Sequence, residues 1–115
     1  MARVSWRTAA SFVLAAGIAL FSSGKAASAP KPATHTVTID AARYQPAALT
    51  ITAGDSVVWV NKDLIPHTAT SKTAGVFDST VIAAGESWTY TPAKKGTSAY
   101  VCTFHPTMTG TLTVK

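Results

Sequence analysis

From Thr34 onward almost every segment alternates apolar and polar residues with a period of two, and no stretch carries a convincing helical period. Side chains arranged this way suit a sheet with one buried and one solvated face. Thr34–Asp40 puts Val37 and Ile39 on one face, and residues 48–52 do the same with Leu49 and Ile51. Ser56–Asn61 is apolar on both faces, Val57 and Trp59 against Val58 and Val60, as expected of a strand inside a sandwich. Shorter strands are expected at 68–71, around Val76 and Phe77, and at 87–91, 98–102 and 110–114. Gly54-Asp55 and Gly85-Glu86 mark turns, and turn signals recur every ~8–12 residues. The spacing predicts an all-β chain, a Greek-key β-sandwich of seven to eight strands. Tyr44-Gln45-Pro46 is expected to be a crossover in which proline blocks ladder pairing. Trp59, Trp88, Phe77 and Tyr90 are expected in the core. His35 shares the parity of Val37 and Ile39 and reads as structural.

Residues 1–29 are composed differently. Arg3 and Arg7 precede a nearly continuous apolar run over 8–21, followed by small and polar residues over 22–29, the three-part layout of a secretory signal peptide. The run is too short for a bilayer span, which takes ~20 residues. Cleavage is expected near 26–29. Ala27-Ser28-Ala29 has the small-x-small form but would leave Pro30 first, so a cut after Ala26 or Ser28 suits the site equally. An uncleaved amphipathic or anchoring helix is the alternative. On this reading the folded domain is 30–115, and it is periplasmic or secreted.

Removing the leader also changes the charge. The whole chain carries +5, but beyond residue 29 there remain Lys31, Arg43, Lys62, Lys72, Lys94, Lys95 and Lys115 against Asp40, Asp55, Asp63, Asp78 and Glu86, a net charge of +2. That is an ordinary surface without a nucleic-acid footprint. A domain this small buries little more than ~60% of its unfolded surface. The single Cys102 forms no internal disulfide, and a lone thiol in an oxidising compartment calls for burial, ligation or a partner.

Cys102, His105 and Met108 recur every three residues within one expected strand-to-strand loop. His67 follows Pro66 at the end of the loop that leaves the Trp59 strand, and a sandwich brings that loop to the same pole. Soft thiolate and thioether sulfur with two imidazoles suits copper in both oxidation states, whereas zinc rarely takes methionine. This donor set is that of blue-copper centres, a known pattern matched here. One thiolate excludes an iron–sulfur cluster. Taken singly, each residue has a plainer role as buried thiol, core filler or surface imidazole. A Cys–His hydrolase would need an orienting third group and an oxyanion hole, and no such residues stand out.

The chain resembles the cupredoxin family, and within it the small amicyanin and plastocyanin-like carriers. The resemblance runs from Tyr44 and Pro46 through the segment 54–61, Pro66-His67, Phe77-Asp78-Ser79 and Gly85 to Tyr100, Cys102, His105-Pro106, Met108 and Gly110. The two-residue gaps on both sides of His105 are similar to amicyanin. The resemblance implies one copper ion per chain, with His67, Cys102 and His105 as equatorial ligands and Met108 as a weak axial one. It implies an electron carrier, not an enzyme, that cycles between Cu(I) and Cu(II) as a monomer. Redox partners would dock weakly on an apolar patch around His105, flanked by Pro66, Pro106, Leu64 and Ile65. A copper storage or delivery protein would use the same ligands. Three positions depart from the family: Thr68 in place of Asn, Ser98 in place of an aromatic, and Thr80 in place of Gly. Lys94-Lys95 is expected at the far pole, and Lys62 and Asp63 are nearer candidates for steering a partner.

Overall fold

A computed structural model describes residues 31–115, together with Gly17 and Ile18; the rest of the expected signal peptide and its cleavage point lie outside the described residues. Among the described residues there are eight strands and no helix, so none is long and apolar enough to cross a membrane. In chain order the strands are β1 Thr34–Asp40, β2 Arg43–Gln45, β3 Ala48–Ile51, β4 Ser56–Asn61, β5 Thr70–Ser71, β6 Ser87–Tyr90, β7 Gly96–Cys102 and β8 His105–Val114. They form two four-stranded sheets ordered β2-β1-β4-β6 and β3-β8-β7-β5. The chain repeatedly crosses from one sheet to the other, and β1 with β4 and β3 with β8 pair in parallel. Parallel neighbours need such crossovers, so the all-β sandwich expected from the alternation is the fold.

The alternation fixes the inner faces. Val37, Ile39, Val57 and Trp59 from one sheet are fully buried, and Tyr100, Cys102, Met108, Leu112 and Val114 face them from the other. Trp59 centres an aromatic cluster, tilted against Phe77 and Trp88 and edge-to-face against Tyr100. Trp88 and Tyr90, expected in the core, are only partly buried and pack against its margin. The second face of β4 is likewise half-buried, so Val58 and Val60 cover the sheet without being enclosed.

Three boundary expectations change. Proline does not remove its segment from the sheet: Arg43–Gln45 pairs with β1 up to the residue before Pro46, because the missing N–H belongs to Pro46 alone. Val76 and Phe77 form no strand, and the neighbouring chain is held by isolated bridges, Thr70 to Asp78 and His67 to Ile82. β8 begins at His105 and not at residue 110. Its hairpin register with β7 continues back to the Cys102–His105 pair, with a bulge between Val101 and Cys102.

The two poles of the sandwich differ. One carries the ends of β1 and β4 and the β7–β8 turn. The other carries the start of β7, with Lys94 and Lys95 just before it, and the turn before β4. At that far pole His35 is structural, its Nε2 lying 3.0 Å from Asp55 Oδ2. Asp55 also accepts the Ala33 and Thr52 N–H groups, which fastens the first strand to the β3–β4 turn. The Ala33 N–H above all, then the His35 ring, holds the Asp55 carboxyl below the ordinary carboxylate range. A depressed folded value contributes stability above the unfolded value of about 3.9, lost as pH falls through the folded value. Asp55→Asn is expected to melt lower than wild type near neutrality. Melting curves from neutral pH down to pH ~3 should show that gap narrowing in acid.

Candidate metal centre

The arm carrying His67 is organised by Asn61, fully buried at the end of β4. Its Nδ2 donates to the carbonyls of Ile65 and Ile82 at 2.9 Å each, and its Oδ1 accepts the Asp63 N–H at 2.9 Å. One amide thereby folds residues 62–66 back across the strand end. The chain then bridges to Ile82, His67 N–H donating at 3.1 Å and His67 C=O accepting at 2.8 Å. His67 is fixed on both backbone groups, and its imidazole is completely buried.

The second arm is the β7–β8 hairpin. Cys102 ends β7 and faces His105, the first residue of β8, across the turn Thr103-Phe104. The expectation of one loop holding three ligands is therefore corrected: the loop is a tight turn, and Met108 lies within a strand. Alternation along β8 points Met108 inward with Gly110, Leu112 and Val114. Met108 is buried in the same core cluster as Cys102, while His105 is half-buried.

The arms meet at Cys102. His67 Nδ1 lies 3.7 Å from Cys102 Sγ, and the His67 and His105 ring centroids are 5.1 Å apart. An imidazole nitrogen and a thiolate bound to one ion at ~2.0 and ~2.3 Å end up roughly 3.6–3.8 Å apart. Two imidazoles on one ion place their centroids roughly 5 Å apart by the same bond lengths. These spacings fit a shared soft ion. Among the described residues no three His, Cys, Asp or Glu side chains form a ready-made cluster, so the two pairwise spacings carry the fit.

The orientation of the His67 ring follows from its partner. Asp63 Oδ2 lies 2.7 Å from Nε2. An ionised carboxylate only accepts, so Nε2 donates to it and Nδ1 is the ring nitrogen turned toward Cys102. Hydrogen bonds from the Ala42 N–H foremost, then from His67 and the Ala41 N–H, hold the Asp63 carboxyl below its ordinary range. The sequence offers Asp63 as a steering charge, but its side chain is 13% exposed and turned inward. Spacing alone gave no signal of this role, because four residues in an irregular loop define no common face.

Thr68 ties the two arms together. Its N–H donates to Cys102 Sγ at 3.3 Å, and its Oγ1 accepts the Thr103 N–H at 3.0 Å. Thr70 donates its only hydroxyl proton to Asp78 Oδ1, so at 3.0 Å Thr68 must donate to Thr70. The Thr68 oxygen is left to accept from Thr103. Thr80 adopts φ +57°, a left-handed conformation that glycine takes freely. Asp78 Oδ1 accepts the Thr80 N–H at 2.9 Å and steadies that turn.

Behind the thiol, Tyr44 donates to the Thr68 carbonyl and packs edge-to-face on Tyr100 at 4.6 Å. Burial pushes the Tyr44 phenol far above its ordinary range and Tyr100 up to about 12, so both stay neutral.

A family model described as a cupredoxin-like domain matches residues 12–114. The chain belongs to the cupredoxin-like family. A curated relative, amicyanin from Paracoccus versutus, is 31% identical over 83 residues, covering 69% of this chain and 63% of the relative. The chain thus spans less than two thirds of that protein's length. Among solved structures, a reduced amicyanin variant superposes with a TM-score of 0.66 at 30% identity, covering 71% of this cupredoxin and 82% of that chain. A Cu(I) form of another amicyanin variant gives 0.67 at 28% identity, with the same coverage. A copper-containing nitrite reductase from Thermus scotoductus SA-01 also gives 0.67 at 28% identity, covering 71% of this chain and 22% of the reductase.

Proposed function

We propose that this cupredoxin is an exported electron carrier holding one copper ion through His67, Cys102 and His105, with Met108 as the weak axial donor. Copper in that donor set accepts and returns a single electron as it cycles between Cu(II) and Cu(I). The observation carrying the reading is the buried contact between His67 Nδ1 and Cys102 Sγ at 3.7 Å, formed by two arms that separate hydrogen bonds hold still. A thiol and an imidazole lone pair facing each other in a dry site suit a shared soft cation. Asn61, Thr68 and the Ile82 bridge fix the ligands, so the protein moves little when the charge changes.

Access is provided by His105. It is half-buried beside Phe104, 50% exposed, and the loop at the same pole presents Leu64 at 95% and Ile65 at 47% exposure. Exposed apolar groups around a ligand suit a weak, short-lived redox partner. Burial of His67, Cys102 and Met108 favours retention of the ion over delivery to an acceptor. The three-part composition of residues 1–29 supports export to the periplasm or beyond.

Adding one equivalent of Cu(II) to the metal-free protein tests the reading. The expected result is an intense thiolate-to-copper visible band that bleaches and returns through repeated redox cycles. A colourless one-to-one complex, or copper lost on reduction, would overturn it. In a copper-loaded His105→Ala variant, electron exchange should slow; an unchanged rate would exclude the His105 route.

A further inference from the structure

We propose that the sandwich carries a second ligand site at the pole opposite the metal arms, a cleft between the open edges of the two sheets that takes a small aromatic carboxylate. The inference goes beyond the copper reading and does not depend on it.

The cleft opens where strand pairing stops. β6 and β5 are the edge strands of their sheets, and β5 is only two residues long, paired with Val101 and Tyr100 of β7. Just past β5 the Lys72 N–H donates to the Ala99 carbonyl at 2.9 Å. Backbone groups along a strand bond to alternate sides, so Thr97 turns its N–H and carbonyl to the same edge as Ala99, where no strand pairs with them.

The space itself follows from residue size. Gly96 and Ser98 share the inward parity of Tyr100 and Cys102, yet they bring almost no side chain to the gap between the sheets. A Cβ built on Gly96 would meet no atom within 4 Å. The result is a cleft of about 480 Å³, within the ~300–1,000 Å³ range of small-molecule sites. An apolar cavity of about 150 Å³ already admits benzene, so one or two fused rings fit here.

The walls suit a flat apolar body. Phe77 and Tyr90 line the cleft with their rings 5.0 Å apart, and Tyr90 stacks on Trp88 at an interplanar angle of 5°. Leu112 and Val114 line it from β8. A further ring seated there gains both apolar burial and contact with aromatic faces or edges.

The mouth suits a negative charge. Lys94 and Lys95 line the cleft and are exposed, and no Asp or Glu shares the lining with them. Among the described residues the ion pairs belong to His35 and His67, so both lysines lack a carboxylate partner. The free Thr97 N–H adds a donor at the same lip. Lysine beside an open edge also deters the addition of another strand, which favours a compact ligand over an extended peptide. From Gly96 to Cys102 is six steps along β7, roughly 20 Å at ~3.3 Å each, so a ligand here leaves the metal arms untouched.

The test is a ¹H–¹⁵N NMR titration of the purified protein, metal-free and loaded with Cu(I), using 1-naphthoate and the neutral 1-naphthalenemethanol. The expected result is saturating shifts at Gly75, Gly96 and Thr97, alike in both forms, with a dissociation constant for naphthoate of about 1 mM or below. The alcohol should bind roughly 3–10-fold more weakly, the effect of losing two exposed charge pairs. Lys94→Gln with Lys95→Gln should erase that preference without disturbing the fold, since both side chains are exposed. Ser98→Leu, which fills the cleft from an inward position, should abolish binding of both compounds. Absence of saturation below about 10 mM would overturn the proposal. So would equal affinity for acid and alcohol, or shifts confined to Leu64, Ile65 and Phe104 at the metal pole. Shifts that track protein concentration without naphthoate would assign the cleft to a second copy of the chain instead. If copper fails to bind, the metal-free titration still decides the matter.

Discussion

Cys102→Ser is expected to abolish the intense visible band of the copper-loaded protein while leaving the sandwich folded. Cys102 is the only cysteine in the chain, so no second thiolate can replace it. Serine has nearly the same shape, and its oxygen still receives the N–H that Thr68 now gives to sulfur at 3.3 Å. It is a hard hydroxyl at neutral pH and supplies none of the soft, anionic donation that suits copper in both states. The fall in Cu(II) affinity should exceed the ~10–100-fold that follows loss of an outer hydrogen-bond partner. Titration followed by absorbance, with far-UV circular dichroism as a check on folding, measures both effects. A persisting band would mean that the colour does not arise from a thiolate.

Gly110→Ala is expected to cause the largest loss of stability from a single methyl group. Gly110 faces Tyr100 across the β7–β8 ladder. A Cβ added there would lie 2.3 Å from Tyr100 Cζ, 2.5 Å from Oη and 2.7 Å from Cε1, distances that no packing tolerates. The ring has little room to retreat, because Tyr100 is 1% exposed and boxed by Tyr44, Trp59 and Phe77. Overpacking of a filled core costs about 1–3 kcal/mol or more. At about 4–8 °C per kcal/mol for a domain of this size, the melting temperature should fall by roughly 4–24 °C. In a Tyr100→Val background the same methyl should cost much less, since residues in contact do not act additively. A melting temperature within a degree or two of wild type would refute the close packing of ring on glycine.

How much of this was legible in the sequence depends on the physical range of each feature. Period-two alternation is local, so the β class and the inner faces around Val37, Ile39, Val57 and Trp59 could be read from residue order. The chemistry of Cys102, His105 and Met108 was legible for the same reason, because three rare soft or aromatic donors stand close together in the chain. Strand ends were less legible. β8 begins at His105 because the hairpin register is set by cross-strand partners, and Pro46 blocks one N–H while its neighbours still pair.

Residue order alone sets the pattern of faces and the kinds of donor atom; how those atoms are held is set by folding. Asp63 and His67 are four residues apart in a loop without periodicity, and only folding directs the carboxylate at Nε2 and at two alanine N–H groups from another strand connection. Thr68 reads from residue order only as a departure from Asn; in the fold its amide reaches Sγ and its hydroxyl reaches Thr103. Side-chain type and local period are written residue by residue. Hydrogen bonds between distant segments exist only after crossover connections bring them together, so their partners could not be read from order alone.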